Sequence, residues 1–242
     1  MIVNPTSTGW EIIYHRAHAL LAAQLAGQWR RKNAPPRLYE TLAAISHHDD
    51  LEREWEGNHL TEVGTPLDFT LDQNFRPDKI IKHVESARYR GRWVALLTSI
   101  HLTRLNEVRR GKDEEFDRFL DEQPMQQQRW REELDLTQED VEQAYAFFLW
   151  CDWLSLILCQ RQLPADGRAL EISKGPDGKR YDVVKQPDER LTVLPWPFED
   201  YEFTVNVEAC YLSQATFKNN VELTEVLQTA PIDLLEWTFV KM

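Results

Sequence analysis

The feature that most constrains this chain is one long apolar segment, from about Gln138 to Arg161. Thr137 precedes it, and Asp140 follows Thr137 by three residues, a spacing typical of a capped helix start. We therefore expect a helix at this position. Its longest apolar run is short for a membrane span and contains an aspartate, so we expect it to be buried in protein instead.

That aspartate, Asp152, lies between Cys151 and Trp153 in the middle of the apolar segment. An isolated ionised carboxylate in such surroundings is costly, so it must be paired, protonated or bound to a metal. The alternative without a metal is an ion pair with a buried arginine or a hydrogen bond inside a helix bundle. Ser155 and Cys159 share the helix face of Asp152, and we interpret them as packing or supporting groups.

The composition excludes some classes of function. The chain has 242 residues and a formal net charge of -12, which argues against a nucleic-acid-binding face. Small anionic substrates stay open, because a bound cation can reverse the local field. Three cysteines without close spacing are typical of reduced thiols. The chain shows no signal-peptide pattern, and we expect a cytoplasmic protein without a membrane span.

Sequence patterns divide the chain into three parts. Residues 1–14 contain two short apolar segments around a turn and predict a hairpin. Residues 15–163 are dominated by helical periods, and we expect them to form a helical, metal-binding core. Residues 164–242 alternate turn signals with short strand patterns, of which 201–207 is the clearest. The prediction is a mainly α protein with a smaller β-rich C-terminal portion, on which the hairpin packs.

Four polar residues, His47-His48-Asp49-Asp50, follow an apolar helical segment that ends at Ile45. Imidazole and carboxylate groups together suit iron, manganese, zinc or nickel. Adjacent helix positions diverge by roughly 100°, so His47 and His48 are not expected to bind the same ion. The competing interpretation is a polar helix end that happens to be rich in His and Asp.

Histidines on other predicted helices supply further candidates. His18 faces the same side as Leu21 and Leu25, so it points inwards as a ligand or as a hydrogen-bonded core residue. His101 lies at the edge of an apolar stripe. It is a candidate ligand, acid, base or phosphate-binding group, and equally a core histidine. His83 lies on a charged helix, which favours a surface position.

In chain order, the candidate ligands are His18, the pair His48-Asp49, and Asp152, on separate helices. This order resembles the HD superfamily of metal-dependent phosphohydrolases, in which such residues bind a divalent cation inside a helical bundle. Six further pieces carry a closer likeness, over nearly the whole chain: His18-Ala19-Leu20, His47-His48-Asp49-Asp50, Gly64-Thr65-Pro66-Leu67-Asp68-Phe69, Ser99-Ile100-His101, Asp152-Trp153-Leu154-Ser155-Leu156 and Trp196-Pro197-Phe198. They resemble an uncharacterised bacterial family, domain of unknown function 3891.

The HD resemblance implies an HD-like helical bundle that hydrolyses a phosphoester, with a nucleotide as one candidate. His47 and His101 are the predicted catalytic residues, which bind a second metal or orient and protonate the leaving group. The cofactor is one divalent ion (Mn, Fe, Zn or Ni), with room in the pattern for a second. The predicted metal ligands are His18, His48, Asp49 and Asp152.

Two other functions stay open at this point. A di-iron oxygenase on an HD-like scaffold would need six protein ligands, so His83 or His101 would complete a second site. A protein without catalytic activity would hold a structural metal or none, and its aromatic C-terminal region would bind a partner. We expect a small phosphorylated molecule as partner, with no nucleic-acid polymer and no membrane, and a homo-oligomer is compatible with the sequence. The irregular stretch 51–80 is interpreted as a wall or lid over the site.

Overall fold

The computed structural model describes residues 1–51 and 57–242. In this part of the chain, a central run of helices lies between two groups of strands. The helices are α1 (His15–Gly27), α2 (Leu38–His47), α3 (Pro77–Ala87), α4 (Arg92–Asn106), α5 (Glu114–Glu133), α6 (Gln138–Cys159) and α7 (Asn220–Thr229). The strands are β1 (Ile2–Pro5), β2 (Trp10–Ile13), β3 (Ala169–Lys174), β4 (Arg180–Lys185), β5 (Leu191–Leu194), β6 (Glu202–Leu212) and β7 (Ile232–Val240).

These strands form one curled, mixed sheet of seven strands. Their order across the sheet is β1-β2-β6-β7-β5-β4-β3. Neighbouring strands are antiparallel except for β5 and β7, which are parallel. The N-terminal hairpin belongs to this sheet because β2 pairs with β6, with Ile12 opposite Cys210. The longest pairing joins β6 and β7, from Glu202 opposite Val240 to Cys210 opposite Ile232.

The prediction of a mainly α, HD-like helical bundle with a smaller β-rich portion is wrong, and so is an all-α description. The protein is 48% helical and 20% strand, and its strands unite in a single seven-stranded sheet. Periodicity identifies strands one at a time, such as the predicted strand 201–207 that lies almost entirely in β6. It does not reveal which strands pair, because that depends on segments far apart in the chain. The division at residues 14 and 163 stays a prediction.

A large hydrophobic core joins the sheet to the helices. Helix α6 lies within it and contacts α1, α2, α4 and β3. Thr137 and Asp140 form the predicted capping box at the start of α6, with Asp140 N 3.1 Å from Thr137 Oγ1. Trp29 and Trp150 pack edge to face with 4.9 Å between ring centroids, and such large aromatic side chains dominate core energetics. The prediction that the apolar segment forms a buried helix is therefore confirmed.

A buried carboxylate ties the end of α6 to the N-terminal hairpin. Glu11 on β2 is 1% exposed. Its carboxylate accepts hydrogen bonds from Asn4 Nδ2 (2.9 Å), from Tyr211 OH (2.7 Å) and from the guanidinium of Arg161. Burial by itself raises the pKa of Glu11, but the hydrogen bonds from Arg161, Tyr211 and Asn4 outweigh it and lower the pKa. Asn4 also donates to the carbonyl of Cys159, the last residue of α6 (2.7 Å).

The irregular stretch after α2 is only partly described, since residues 52–56 lie outside the described residues. Of the remainder, Leu60 packs with Phe217 and Leu223 in a small second core beside the sheet. The backbone N–H of Phe217 donates to the carbonyl of Gly64 (2.7 Å), which fixes this part of the stretch to the C-terminal region. Its role as a wall or lid stays a prediction. Among the helices of the described residues, none combines the length and hydropathy of a membrane span.

Candidate metal centre

Four side chains converge where α1, α2 and α6 pack together. His18 lies on α1, and Asp152 lies in the middle of α6. His48 and Asp49 follow directly after α2 ends. His18 and His48 are 1% exposed and Asp152 is 8% exposed, whereas about a quarter of the Asp49 side chain reaches solvent. The structure thus brings the four predicted ligands together, and their role as ligands stays a prediction.

The hydrogen bonds of His18 determine which of its ring nitrogens carries a hydrogen. Nδ1 lies 2.9 Å from Ser155 Oγ, and that hydroxyl donates its own hydrogen to the carbonyl of Asp152 (2.8 Å). The serine oxygen must therefore accept, so His18 donates through Nδ1. In the neutral ring, Nε2 then carries a lone pair and no hydrogen. It faces Asp49 Oδ2 at 2.6 Å.

His48 is held in the same tautomer. Its Nδ1 lies 2.6 Å from the carbonyl oxygen of Ile45, which can only accept, so Nδ1 carries the hydrogen. The Nε2 lone pair of the neutral ring then lies 3.1 Å from Asp152 Oδ1 and 3.5 Å from Asp49 Oδ2. Two imidazole lone pairs and two carboxylates therefore meet in one small, mostly buried volume.

This meeting of acceptors is unfavourable unless a positive charge lies among them. Asp152 Oδ1 is buried and makes no well-directed hydrogen bond with the described residues. One source of positive charge is a proton on Nε2 of His48 or of His18, which then donates a hydrogen bond to the carboxylate that it faces. Burial by itself lowers the pKa of His48, but the charges of Asp49 and Asp152 outweigh it and raise the pKa to about 10. Burial likewise raises the pKa of Asp49, but His48 and His18 hold it well below its usual value.

A divalent cation is the other source of positive charge, and the residues present fit it. Zinc binds imidazole nitrogen and carboxylate oxygen at about 2.0–2.2 Å, so the ligand atoms of one ion lie within about twice that distance of one another. Two groups of side chains offer ligand atoms within 4.8 Å of one another: His18, His48 and Asp49, and His48, His101 and Asp152. Because the groups share His48, a single centre at its Nε2 can draw on both.

His101 reaches this centre from α4. Its ring centroid lies 5.1 Å from that of His48 and 4.8 Å from that of Phe148. Its Nδ1 is buried and has no hydrogen-bond partner within residues 1–51 and 57–242. Burial lowers the pKa of His101 to about 4, with a further lowering by the charge of His48, so the ring is neutral at pH 7. A neutral ring with an unused nitrogen can bind a metal or accept a hydrogen bond, and its catalytic role stays a prediction.

His47 makes its contacts outside the centre. Its Nδ1 lies 2.7 Å from Asp50 Oδ2, and its Nε2 lies 3.1 Å from Arg90 Nη1. A carboxylate only accepts and a guanidinium only donates, so His47 donates through Nδ1 and accepts through Nε2. Both ring nitrogens are therefore used within the protein. The predicted catalytic role of His47, as a ligand or as an acid, would require one of these hydrogen bonds to break.

His83 belongs to the same region, although its charged helix favoured a surface position. That interpretation is wrong, because His83 is 4% exposed and its ring lies 4.4 Å from the ring of His47. It donates a hydrogen bond to the backbone of His48, and its Nε2 is buried without a partner in the part of the chain that the structure describes. One signal was present in the sequence: His83 is three residues after Ile80 and four before Ala87, on the buried stripe of α3.

His15 is a partly buried histidine near the centre. It lies one turn before His18, with 6.0 Å between the ring centroids, and packs edge to face on Phe69 at 4.8 Å. Burial lowers the pKa of His15 to about 4, against the opposing charge of Asp49, so this ring is neutral at pH 7. His15 thus forms part of the wall beside His18 without adding charge to it.

Comparisons with known proteins identify a family but no activity. A search of curated proteins and a search of solved structures each found no similar protein. The resemblance to the HD superfamily finds no support in these comparisons. A family model described as "Protein of unknown function (DUF3891)" matches residues 1–214. Because this match covers most of the 242 residues, the chain belongs to the DUF3891 family.

Proposed function

We propose that the protein is a metal-dependent hydrolase with a divalent cation as its cofactor. The observation that carries the proposal is the orientation of two imidazole lone pairs, since Nε2 of His18 and Nε2 of His48 both face carboxylates. In each ring, Nδ1 donates to a protein oxygen, which is how proteins orient metal-binding histidines. The mixed nitrogen and oxygen donors suit Mn, Fe, Zn or Ni. The proposed ligands are His18, His48, Asp49 and Asp152.

A cation in this position supplies a water of lowered pKa and polarises an oxygen of the substrate. The side chains of the protein supply the rest. The unused Nδ1 of His101 can accept a hydrogen bond from a reacting group, and Phe148 covers this ring and excludes water from it. Asp49 is the most exposed of the proposed ligands, so substrate and water enter from its side.

The proposed substrate is a small phosphoester, with a nucleotide as one candidate. A nucleic-acid polymer is disfavoured by the net charge of -12, which repels a polyanion over its whole length. A small anion needs only a local positive charge, which a bound cation provides. The mostly buried position of the centre favours a substrate that presents one group to it.

A di-iron oxygenase is a second candidate, because buried imidazole nitrogens on α3 and α4 have no hydrogen-bond partner among the described residues. They are His101 Nδ1 and His83 Nε2. The charge of Asp49 acts on both rings. This function requires a second metal ion that these two histidines share with Asp49.

Elemental analysis of protein purified without added metal tests these functions. The hydrolase proposal expects one divalent ion per chain, which His48→Gln loses. The matched control is His47→Gln, the neighbouring histidine whose ring nitrogens both bond within the protein, and it should keep the ion. Two irons per chain would favour the oxygenase. A wild-type protein that holds no metal and takes up none on addition of manganese or zinc would refute both and favour a non-catalytic function.

Turnover of a panel of small phosphoesters in the presence of manganese tests the reaction itself. Asp49→Asn should abolish turnover, because it removes a carboxylate from the centre. Asp182→Asn makes the same change on β4, where the carboxylate pairs with Arg180, and should leave turnover intact. A metal-loaded wild type that turns over no member of the panel would refute the hydrolase and leave the metal centre standing.

A further inference from the structure

We propose that Arg90 binds the phosphate group of the substrate beside the metal centre, and that Asp50 and His47 position its guanidinium for this task. This inference rests on the proposed function, since it names the substrate class of that centre. It also assigns His47 a positioning role in place of a direct role in the reaction. The contacts, exposure and charge of Arg90 support it.

Asp50, His47 and Arg90 form a directed chain of hydrogen bonds. Asp50 Oδ2 accepts from His47 Nδ1 at 2.7 Å, which places the lone pair of the ring on Nε2. That lone pair accepts from Arg90 Nη1 at 3.1 Å. The carboxylate therefore determines the tautomer of His47, and the tautomer determines where the guanidinium is held.

An imidazole acceptor orients Arg90 without cancelling its charge. The nearest contact between Arg90 and Asp50, from Nη2 to Oδ2, is 3.9 Å, which is too long for a hydrogen bond. Other arginines of the described residues are more fully neutralised, since Arg110, Arg180 and Arg190 each have two carboxylates within 3.2 Å. A guanidinium carries five N–H donors, and among the described residues Arg90 uses one of them in a hydrogen bond, to His47. Arg90 thus retains charge and donors for a ligand.

Arg90 reaches solvent, and so does the centre at Asp49. The side chain of Arg90 is 48% exposed, and those of Asp50 and Asp49 are 28% and 24% exposed. Asp49 and Asp50 are consecutive residues. Asp49 contacts His18, and Asp50 begins the row of hydrogen bonds that leads through His47 to Arg90. Arg16, two residues before His18 on α1, places a second guanidinium beside Asp50, with Nε 3.2 Å from Asp50 Oδ1.

A phosphate group is the ligand that these features fit best. The planar fork of a guanidinium matches two oxygens of a phosphate. In a chain with a net charge of -12, an exposed arginine beside a cation forms a local positive field, which attracts a small anion. A phosphate held by Arg90 would present its ester to the centre formed with Asp49. A neutral or cationic substrate would gain nothing from this arrangement.

Titration of inorganic phosphate into manganese-loaded protein tests the inference. Arg90→Gln should weaken phosphate binding by about tenfold or more, the loss expected for a charge-assisted hydrogen bond. Arg88→Gln is the matched control. Arg88 is a neighbouring arginine that donates to Tyr89 and takes no part in the hydrogen bonds that join Asp50, His47 and Arg90. Arg88→Gln should change phosphate affinity by less than about twofold, as for a surface change without a direct contact. Metal content should be unchanged in both variants.

His47→Phe tests the positioning role, because it removes the acceptor of Arg90 without changing the number of arginines. It should weaken phosphate binding at unchanged metal content. An unchanged affinity in this variant would overturn the positioning role of His47. Equal phosphate affinities of wild type and Arg90→Gln, or no phosphate binding by the wild type, would overturn the role of Arg90.

Two further measurements complete the test. Acetate should bind more weakly than phosphate, and equal binding of the two anions would overturn the assignment to phosphate. Failure of the proposed function has a different signature, namely the absence of metal. The same phosphate titration on metal-free wild type and Arg90→Gln then still decides whether Arg90 binds the anion.

Discussion

Two buried carboxylates, one within helix α6 and one near its C-terminal end, differ in the groups that surround them. Glu11, at the C-terminal end of the helix, is surrounded by donors from Asn4, Tyr211 and Arg161. Asp152, in the middle of the helix, faces the Nε2 lone pair of His48, and its Oδ1 makes no well-directed hydrogen bond. The hydrogen bonds of the Glu11 carboxylate all come from the protein, whereas Asp152 depends on a positive charge from a proton on His48 or from a cation.

The comparison teaches how a structural carboxylate differs from a ligand. Both side chains lose their contact with water, at a cost of several kcal/mol for an ionised group. At Glu11, hydrogen bonds within the protein offset this cost at all times. At Asp152, the offset comes from a proton on His48 or from a cation. The stability of the Glu11 region should therefore be independent of metal, and that of the Asp152 region should depend on it.

The largest expected effect comes from Asp152→Asn. Changing a residue that only supports a metal ligand lowers metal affinity by about 10–100-fold. Asp152→Asn should lower it more than that, because it removes a charged ligand. Competition with a chelating metal indicator measures this affinity. The melting temperature of the metal-free variant should also fall at pH 7, because the buried proton on His48 loses one of its two carboxylate partners. An unchanged metal affinity would contradict the proposed centre.

Glu11→Gln is the counterpart and should change stability alone. Replacing a carboxylate that accepts charge-assisted hydrogen bonds should cost about 1.5–3 kcal/mol in the free energy of unfolding. The half-exposed side chain of Arg161 favours the lower end of that range. Urea unfolding measures the loss, and metal affinity should be unchanged. Glu189→Gln, an exposed control, should change stability by less than about 0.5 kcal/mol. A fall in metal affinity in Glu11→Gln would remove the distinction between the two regions.

The pH dependence of metal affinity is the next test of the difference between the two regions. The pKa of His48 in the metal-free protein is raised to about 10, so below that pH a cation must displace one proton from its Nε2. Metal affinity should therefore rise by about tenfold per pH unit from neutral pH towards about pH 10. Affinity that does not change with pH would contradict a role of His48 as ligand.

The same proton affects stability with the opposite sign. The pKa of His48 in the folded, metal-free protein lies above its unfolded value of about 6.5, so the proton on His48 stabilises the folded state. This contribution is complete below about pH 6.5 and is lost as the pH rises towards 10. Chelator-treated protein should therefore melt at a lower temperature at pH 9 than at pH 7, roughly the window set by these pKa values. The metal-loaded protein should show less of this loss, since the cation replaces the proton.

Ser155→Ala should have the smallest effect of the series. It removes the oxygen that accepts the hydrogen of His18 Nδ1, so the ring loses the contact that directs Nε2 towards Asp49. Metal affinity should fall by about tenfold, the lower end of the range for such partners. Ser173→Ala on β3 is the control, because the hydroxyl of this partly exposed residue donates to the carbonyl of its neighbour Lys174 and not to a histidine. A metal affinity equal to that of the wild type would show that Ser155 does not orient His18.

Much of the candidate site was predictable because its signals are local. An aspartate among the apolar residues of α6 indicates a charge that needs a partner, whatever the rest of the fold is. The helical spacing of His18 from Leu21 and Leu25 predicted its burial, and it is buried. The contact of His47 with Arg90 was not predictable, because it joins residues on different elements. No local pattern connects those two positions.

The sequence by itself determined the apolar helix α6 with its capping box, the N-terminal hairpin and the candidate ligand set, because capping, periodicity and residue type act over a few neighbouring positions. Only the tertiary structure decided which strands pair and that all seven form a single sheet, which overturned the predicted helical bundle. It also decided that Nε2 of His18 and of His48 faces the carboxylates. Strand pairing and hydrogen-bond partners join residues far apart in the chain, so they depend on the complete packing of the molecule.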